Sequence, residues 1–422
     1  MSDAIKQTLL PLRGTKDPKL ELASLTGGAV EDLTNRFLYF SIFTSLDFPF
    51  ATGSAMIADD EKIFTKHKVD GDKAVIFSAT AGNGKSITSK LHINTYKNMP
   101  HNNRKSQSVD LSLMALEHIH NASQKVQEYK YWNKPKPIST IVRQLALKYL
   151  SVSLQGNAST SPAVNINIPK MHPMEAISFL NERAYGKGKN LYSMYQAFDS
   201  SGVLKYFYDE ISTLMEKPHK WIFVLTEGNV GQSEAGIIDD LYKKGQKISR
   251  ILSYKSDSHF NAHNMVKQGY ASRTYVKMDF INKVYESIDD DSQHTSIGSK
   301  QMPELVSIAN TNRDFFFNRS LYEPFNGDSS FYIDPLLEES FKTKKPVAAG
   351  LLNKRVSITT YGCPEVNPGD VVILDIPEFI PTENRNPDEQ YSKKYLVYSA
   401  EHSVDTNGDF MSKYELISDG QM

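Results

Sequence analysis

The chain has 422 residues, enough by length for about three domains with separate cores. Its 48 Lys and Arg balance 49 Asp and Glu to a net charge of −1, which gives no support to a nucleic-acid-binding protein of high positive charge. One cysteine, Cys363, excludes an intrachain disulfide and a cysteine-based metal cluster, and no apolar run approaches the ~18 residues of a membrane helix.

Residues 1 to about 30 are rich in Lys, Thr and Gly and read as an extended arm. The N-terminus lacks the basic and apolar blocks of a secretory signal, and with the single cysteine this points to folding in a reducing cytoplasm. Strand character begins at Phe37 to Phe43, resumes at Ser54 to Ala58, and continues through Lys73 to Ser78 and Ile87 to Tyr96. These make a β-rich unit ending near Asp110.

From Leu111 the period changes. Ile138, Ile141, Val142, Leu145, Tyr149 and Val152 share one helical face, with Pro137 where a first-turn proline is tolerated. A Ser/Asn/Pro-rich link, Gln155 to Pro169, leads to a second helix, Pro173 to Ala184. Leu191 to Phe198 and Val203 to Tyr208 then form a hairpin across Asp199-Ser-Ser-Gly202, completing an α+β module.

Lys220 to Thr226 and Ser272 to Phe280 read as strands flanking a helix, Asp239 to Leu252. Ser287 to Phe331 is polar and poorly periodic, an insertion holding Asp289-Asp-Asp291 and Phe315-Phe-Phe317. The last part is strands again: Arg355 to Tyr361, Val371 to Ile376, a polar excursion from Pro381 to Ser392, then Tyr395 to Val404 paired with Phe410 to Ile417 across Asn407-Gly408. The edges of such a meander must be closed or covered, so a small barrel ends the chain.

The order of this last part, from Tyr361-Gly362 through Pro368-Gly369-Asp370-Val371-Val372, Tyr395-Leu-Val-Tyr398 and His402 to Tyr414-Glu-Leu416, resembles the closing barrel of baseplate hub proteins. In contractile-tailed phages and related injection machines these sit between tail tube and spike. The N-terminal strand order and the hairpin with Asp199-Ser-Ser-Gly202 resemble the family's first and second domains.

The resemblance implies an α+β, β-rich fold with two tube-like β-barrel domains, an α+β domain and a polar insertion. Its divisions are residues 1–110 for the arm and first barrel, 111–219 for the α+β domain, 220–286 with 336–422 for the second barrel, and 287–335 for the insertion. It implies a homotrimeric ring joining the tail tube, or a tube initiator, to a central spike. Baseplate wedge proteins surround the ring, and DNA passes through its lumen without specific binding. Such a hub belongs to the virion, is assembled in the host cytoplasm and does not insert into membranes. A spike or murein hydrolase module is expected as a separate partner, because the sequence ends at Met422 just after the barrel. The family has no catalytic, cofactor or metal residue to carry over, and none is assigned.

One motif points elsewhere. Ala79-Thr-Ala-Gly-Asn-Gly-Lys85-Ser86 satisfies a relaxed phosphate-loop pattern behind an apolar strand, with Lys85 and Ser86 in the positions that would hold phosphates and magnesium in a nucleotide hydrolase. A phosphate loop needs a helix next, yet Ile87 to Tyr96 alternates with period two, so a strand and a glycine hairpin tip are expected. Four other patterns have weaker chemistry. His259-Phe-Asn-Ala-His263 lacks a glutamate base and a third ligand, and His118 and His120 face different sides of a helix. Gly231-Gln-Ser-Glu-Ala-Gly236 is one residue too long for a nucleophile elbow, and Cys363 has no basic neighbour to activate it.

Overall fold

The computed structural model describes residues 14–25, 27–69, 71–100, 107–126, 135–161, 163, 166, 168–186, 191–225, 247–258, 273–279, 284–290, 344, 351, 354–378, 387–389 and 391–418. In chain order the N-terminal strands are β1 (Thr15–Ser24), β2 (Ala29–Asp32), β3 (Phe37–Ser45), β4 (Thr52–Ala58), β5 (Lys73–Ala81), β6 (Ser86–Pro100) and β7 (Gln107–Met114). A middle part carries β8 (Leu154–Gln155), β9 (Tyr192–Phe198) and β10 (Leu204–Glu210) among the helices Leu116–Ser123, Ile138–Leu145 and Pro173–Arg183. The remainder supplies β11 (His219–Leu225), β12 (Ile248–Ser258), β13 (Arg273–Asp279), β14 (Val284–Asp290), β15 (Lys354–Tyr361), β16 (Val371–Asp375), β17 (Lys394–Asp405) and β18 (Phe410–Ser418).

The C-terminal strands close a six-stranded barrel in the order β16-β11-β12-β15-β18-β17, with β17 returning to β16 through Val371↔Leu396, Val372↔Tyr395 and Ile373↔Lys394. Alternation decides its inside. Val356 and Ile358 on β15, Tyr414 and Leu416 on β18, and Phe223 on β11 are buried together, while Arg355, Ser357 and Thr359 take the other face.

The same sheet continues from β17 into β3, β4, β7, β6, β5, β1 and β2. A flat sheet would hold β3 and β5, four positions apart, on the order of 19 Å from one another. Phe40 of β3 nevertheless stacks on Phe77 of β5 with ring centroids 3.8 Å apart. The sheet must therefore roll round its own apolar face, as a strongly twisted ribbon does. The start of β1 comes back to the β17–β18 turn, where Thr15 N–H donates to Gly408 O at 2.6 Å. Gly408 has φ +73°, the conformation this tight turn requires. The fold is thus α+β and β-rich, with one barrel closed by its ladder and a second, rolled sheet sealed by side chains and a turn.

Between them, the helices Ile138–Leu145 and Pro173–Arg183 cover the sheet β8-β10-β9. Ile138, Ile141, Val142 and Leu145 are buried along one face, and the first helix runs on as a π turn, Ala146–Leu150, that stops at Ser151 in the left-handed region. Pro173 opens the second helix, with Glu175 accepting the His172 N–H at 2.8 Å.

Three expectations change. The arm is already strand from Thr15, because Asp17-Pro18 lies in a bulge between Lys16 and Lys19 that hides the alternation resumed by Leu20 and Leu22. The helix expected over Asp239 to Leu252 is strand from Ile248: β12 pairs in parallel with β11, and a bulge between Ile251 and Ser253 turns Leu252 outward, imitating helical spacing. Ser287, taken as the start of the insertion, pairs with Val276 in the hairpin β13–β14, and among the described residues this hairpin pairs with no strand of the barrel. Most of the insertion, including Phe315 to Phe317, lies outside the described residues. Among those described, no helix is long and apolar enough to cross a membrane.

Candidate functional site

The phosphate-loop motif is the tip of the β5–β6 hairpin. Thr80 pairs with Ser86 and Ala79 with Ile87, Ala81 N–H donates to Lys85 O at 2.8 Å, and Asn83 Oδ1 accepts the Lys85 N–H at 3.0 Å. Lys85 is exposed and Ser86 bonds to Thr80 across the ladder. A strand follows, so no helix N-terminus is aimed at the loop. The nucleotide-hydrolase reading of Lys85 and Ser86 is corrected on that geometry.

The remaining chemical candidates separate. His259, His263 and Gly231 to Gly236 lie outside the described residues. His118 sits against Phe48 and Phe50, where burial lowers its pKa, while His120 Nδ1 lies 3.4 Å from Leu150 O. Among the described residues no group of three or more His, Cys, Asp or Glu is placed to hold a metal. Cys363 is buried, its thiol pushed up to about 12 by desolvation, and Tyr414 donates to its carbonyl at 2.7 Å. His402 on β17 is also fully buried, and desolvation depresses it to about 3.

What the structure does concentrate is contact between its parts, and the β9–β10 hairpin is the centre of it. Near the start of β9, Ser193 Oγ donates to Leu46 O, and Gln196 Oε1 accepts the Ala51 N–H, both from the β3–β4 connection. At its end, Phe198 is held like a neighbouring strand by one side chain: its N–H donates to Asn367 Oδ1 at 3.0 Å and its carbonyl accepts from Asn367 Nδ2 at 3.1 Å. Asn367 belongs to the β15–β16 loop, which Asp370 braces by accepting the Asn367 N–H. The hairpin's tip reaches β6, where Thr88 N–H donates to Gly202 O at 2.8 Å. Gly202 has φ +77°, and a Cβ there would stand 1.9 Å from Ser86 O. One hairpin therefore ties the middle part to both the rolled sheet and the closed barrel.

Sequence reading found this hairpin and its turn but not its role. Asn367 looks like any turn asparagine before Pro368-Gly369, and Gly202 like any hairpin glycine. The buried Lys354 was not found either. Its amine lies 4.9 Å and 5.8 Å from the Tyr391 and Tyr395 ring centres, and burial lowers it to about 8.

No protein-family model matches the sequence, and no curated protein matches it. Solved structures do. The tail protein from Neisseria meningitidis superposes with a TM-score of 0.57 at 10% identity, over 96% of this chain and 98% of that one. The 43 kDa tail protein of prophage MuSo2 from Shewanella oneidensis gives 0.56 at 10% identity, over 96% and 100%. An Escherichia coli component of the type VI secretion system follows at 0.46 and 8%, over 94% and 76%. At these identities the likeness is one of fold, and end to end the fold of this chain is the one the two tail proteins share.

Proposed function

We propose that the chain is the structural hub of a tail baseplate, a homotrimeric ring that joins the tail tube to the central spike around the DNA channel. The observation that carries this reading is the end-to-end fold match to tail proteins, 96% of this chain on 98% and 100% of theirs. Two tube-like units per chain support it further. Three chains bring six such units, which can meet a sixfold tube on one face and a threefold spike on the other. Closed rotational symmetry leaves no unsatisfied interface. Division into residues 1–110, 111–219, 220–286 with 336–422, and 287–335 is part of the proposal, as are baseplate wedge partners, a place in the virion after cytoplasmic assembly, and a role without catalysis.

The test is the native mass of the purified protein, alone and with spike and tube proteins, together with particle images. A trimer with a sixfold-looking ring is expected. A monomer or dimer in the presence of both partners refutes the hub.

A further inference from the structure

We propose that His402 is an acid-sensitive latch: proton uptake there releases the end of the β9–β10 hairpin from the closed barrel. The imidazole is fully buried where the three parts of the molecule meet. Its strand, β17, pairs it with Ser412 of β18 on one side and Ile42 of β3 on the other. Phe198, from the end of β9, covers it at a ring separation of 5.8 Å, and Phe410 and Tyr414 stand at 6.0 Å. Nδ1 lies 2.9 Å from Ser412 Oγ, and Nε2 is buried without a hydrogen-bond partner among the described residues.

A proton on this ring would create a buried cation facing aromatic rings and one hydroxyl. Among the described residues, the ionisable groups of the packed elements offer no counter-charge. Tyr414 on β18 and the Cys363 thiol, whose backbone N–H shares Ser412, are both driven up by burial and stay neutral. Glu365 and Asp370, in the loop that carries Asn367, are engaged by Lys247 at 2.8 Å and Lys220 at 3.0 Å. Glu401, next to His402 on β17, alternates to the other face opposite Lys413. Asp199, beyond Phe198, is half-buried and accepts from the Ser201 and Val203 N–H groups.

The cheapest way for the ring to reach water is through its weakest wall. Around His402, β3 and β18 are joined to β17 by ladders running from Ser399 to Val404, whereas Phe198, paired with Leu204 in its own hairpin, is tied to the barrel by the two hydrogen bonds of Asn367. Desolvation keeps the closed form from taking the proton until about pH 3, while an exposed histidine takes it near 6.5. Between those values the open form binds a proton that the closed form does not, so acid favours opening about tenfold per pH unit.

Hydrogen exchange of the native protein, corrected for the intrinsic pH dependence of exchange, reads this directly. From pH 6.5 to pH 5.0 the segments 195–203 and 363–370 should lose roughly 16-fold in protection, because an exposed histidine is already half protonated at pH 6.5. β15 and β18 should keep theirs, and His402→Gln should remove the acid dependence. Asn367→Ala should loosen the hairpin at both pH values and leave the slope. A flat wild-type profile, opening of the whole chain at once, or a slope that survives His402→Gln overturns the proposal. Should the glutamine variant not fold, the wild-type profile decides alone, because only opening confined to those two segments fits.

Discussion

Gly202→Ala is the sharpest probe of the joint between the middle part and the rolled sheet. The new methyl would lie 1.9 Å from Ser86 O, 2.9 Å from Ser86 C and 3.3 Å from Ile87 Cα, all backbone atoms, so no side-chain rotation can relieve the overlap. The strands must part by more than about 1 Å to reach ordinary contact. That stretches the 2.8 Å bond from Thr88 N–H to Gly202 O past useful length. Holding alanine at φ +77° costs about 1–2 kcal/mol, and a donor left without its partner about 1–3 kcal/mol, so the destabilisation should be about 2–5 kcal/mol. Denaturant unfolding gives the total, hydrogen exchange at Thr88 locates it, and Ser201→Ala in the same exposed turn serves as the control. A Gly202→Ala protein within about 0.5 kcal/mol of wild type, with Thr88 still protected, would refute the reasoning.

Leu145→Asp puts a carboxylate among Ile138, Ile141 and Val142, where Leu145 is 1% exposed. The cost should be at least about 3 kcal/mol and the variant should be insoluble or lack a cooperative transition. Lys85→Ala changes an exposed hairpin tip, so stability should stay within about 0.5 kcal/mol, and neither protein should bind ATP in a calorimeter. Cys363 should resist a thiol-specific disulfide reagent at pH 8 until denaturant is added, because its thiol is buried and pushed up to about 12.

Much of the fold was legible because period two survives wherever a strand has one wet face. Lys73 to Ser78, Ile87 to Tyr96 and Phe410 to Ile417 all fall inside observed strands. The same criterion rejected the phosphate loop, since the residues after Lys85 alternate. Reading failed where a bulge shifts the phase, at Asp17-Pro18 and at Leu252. The joint was illegible for another reason. Asn367 lies 169 residues from Phe198, and nothing local marks a side chain that will serve as a strand for a distant backbone.

β17 has a mechanical consequence. Its first residues close the barrel against β16, and after the bulge between Val397 and Ser399 its remainder pairs with β3 of the rolled sheet. The two tube-like units therefore share one strand, which bends at that bulge but is not interrupted by a loop. A twist applied to either unit loads the ladder beside β17 in shear, with many hydrogen bonds bearing the strain together. Rotating one unit against the other along this seam means breaking the pairs of β17 with β3 from Ser399 to Asp405, so the two units resist such rotation together.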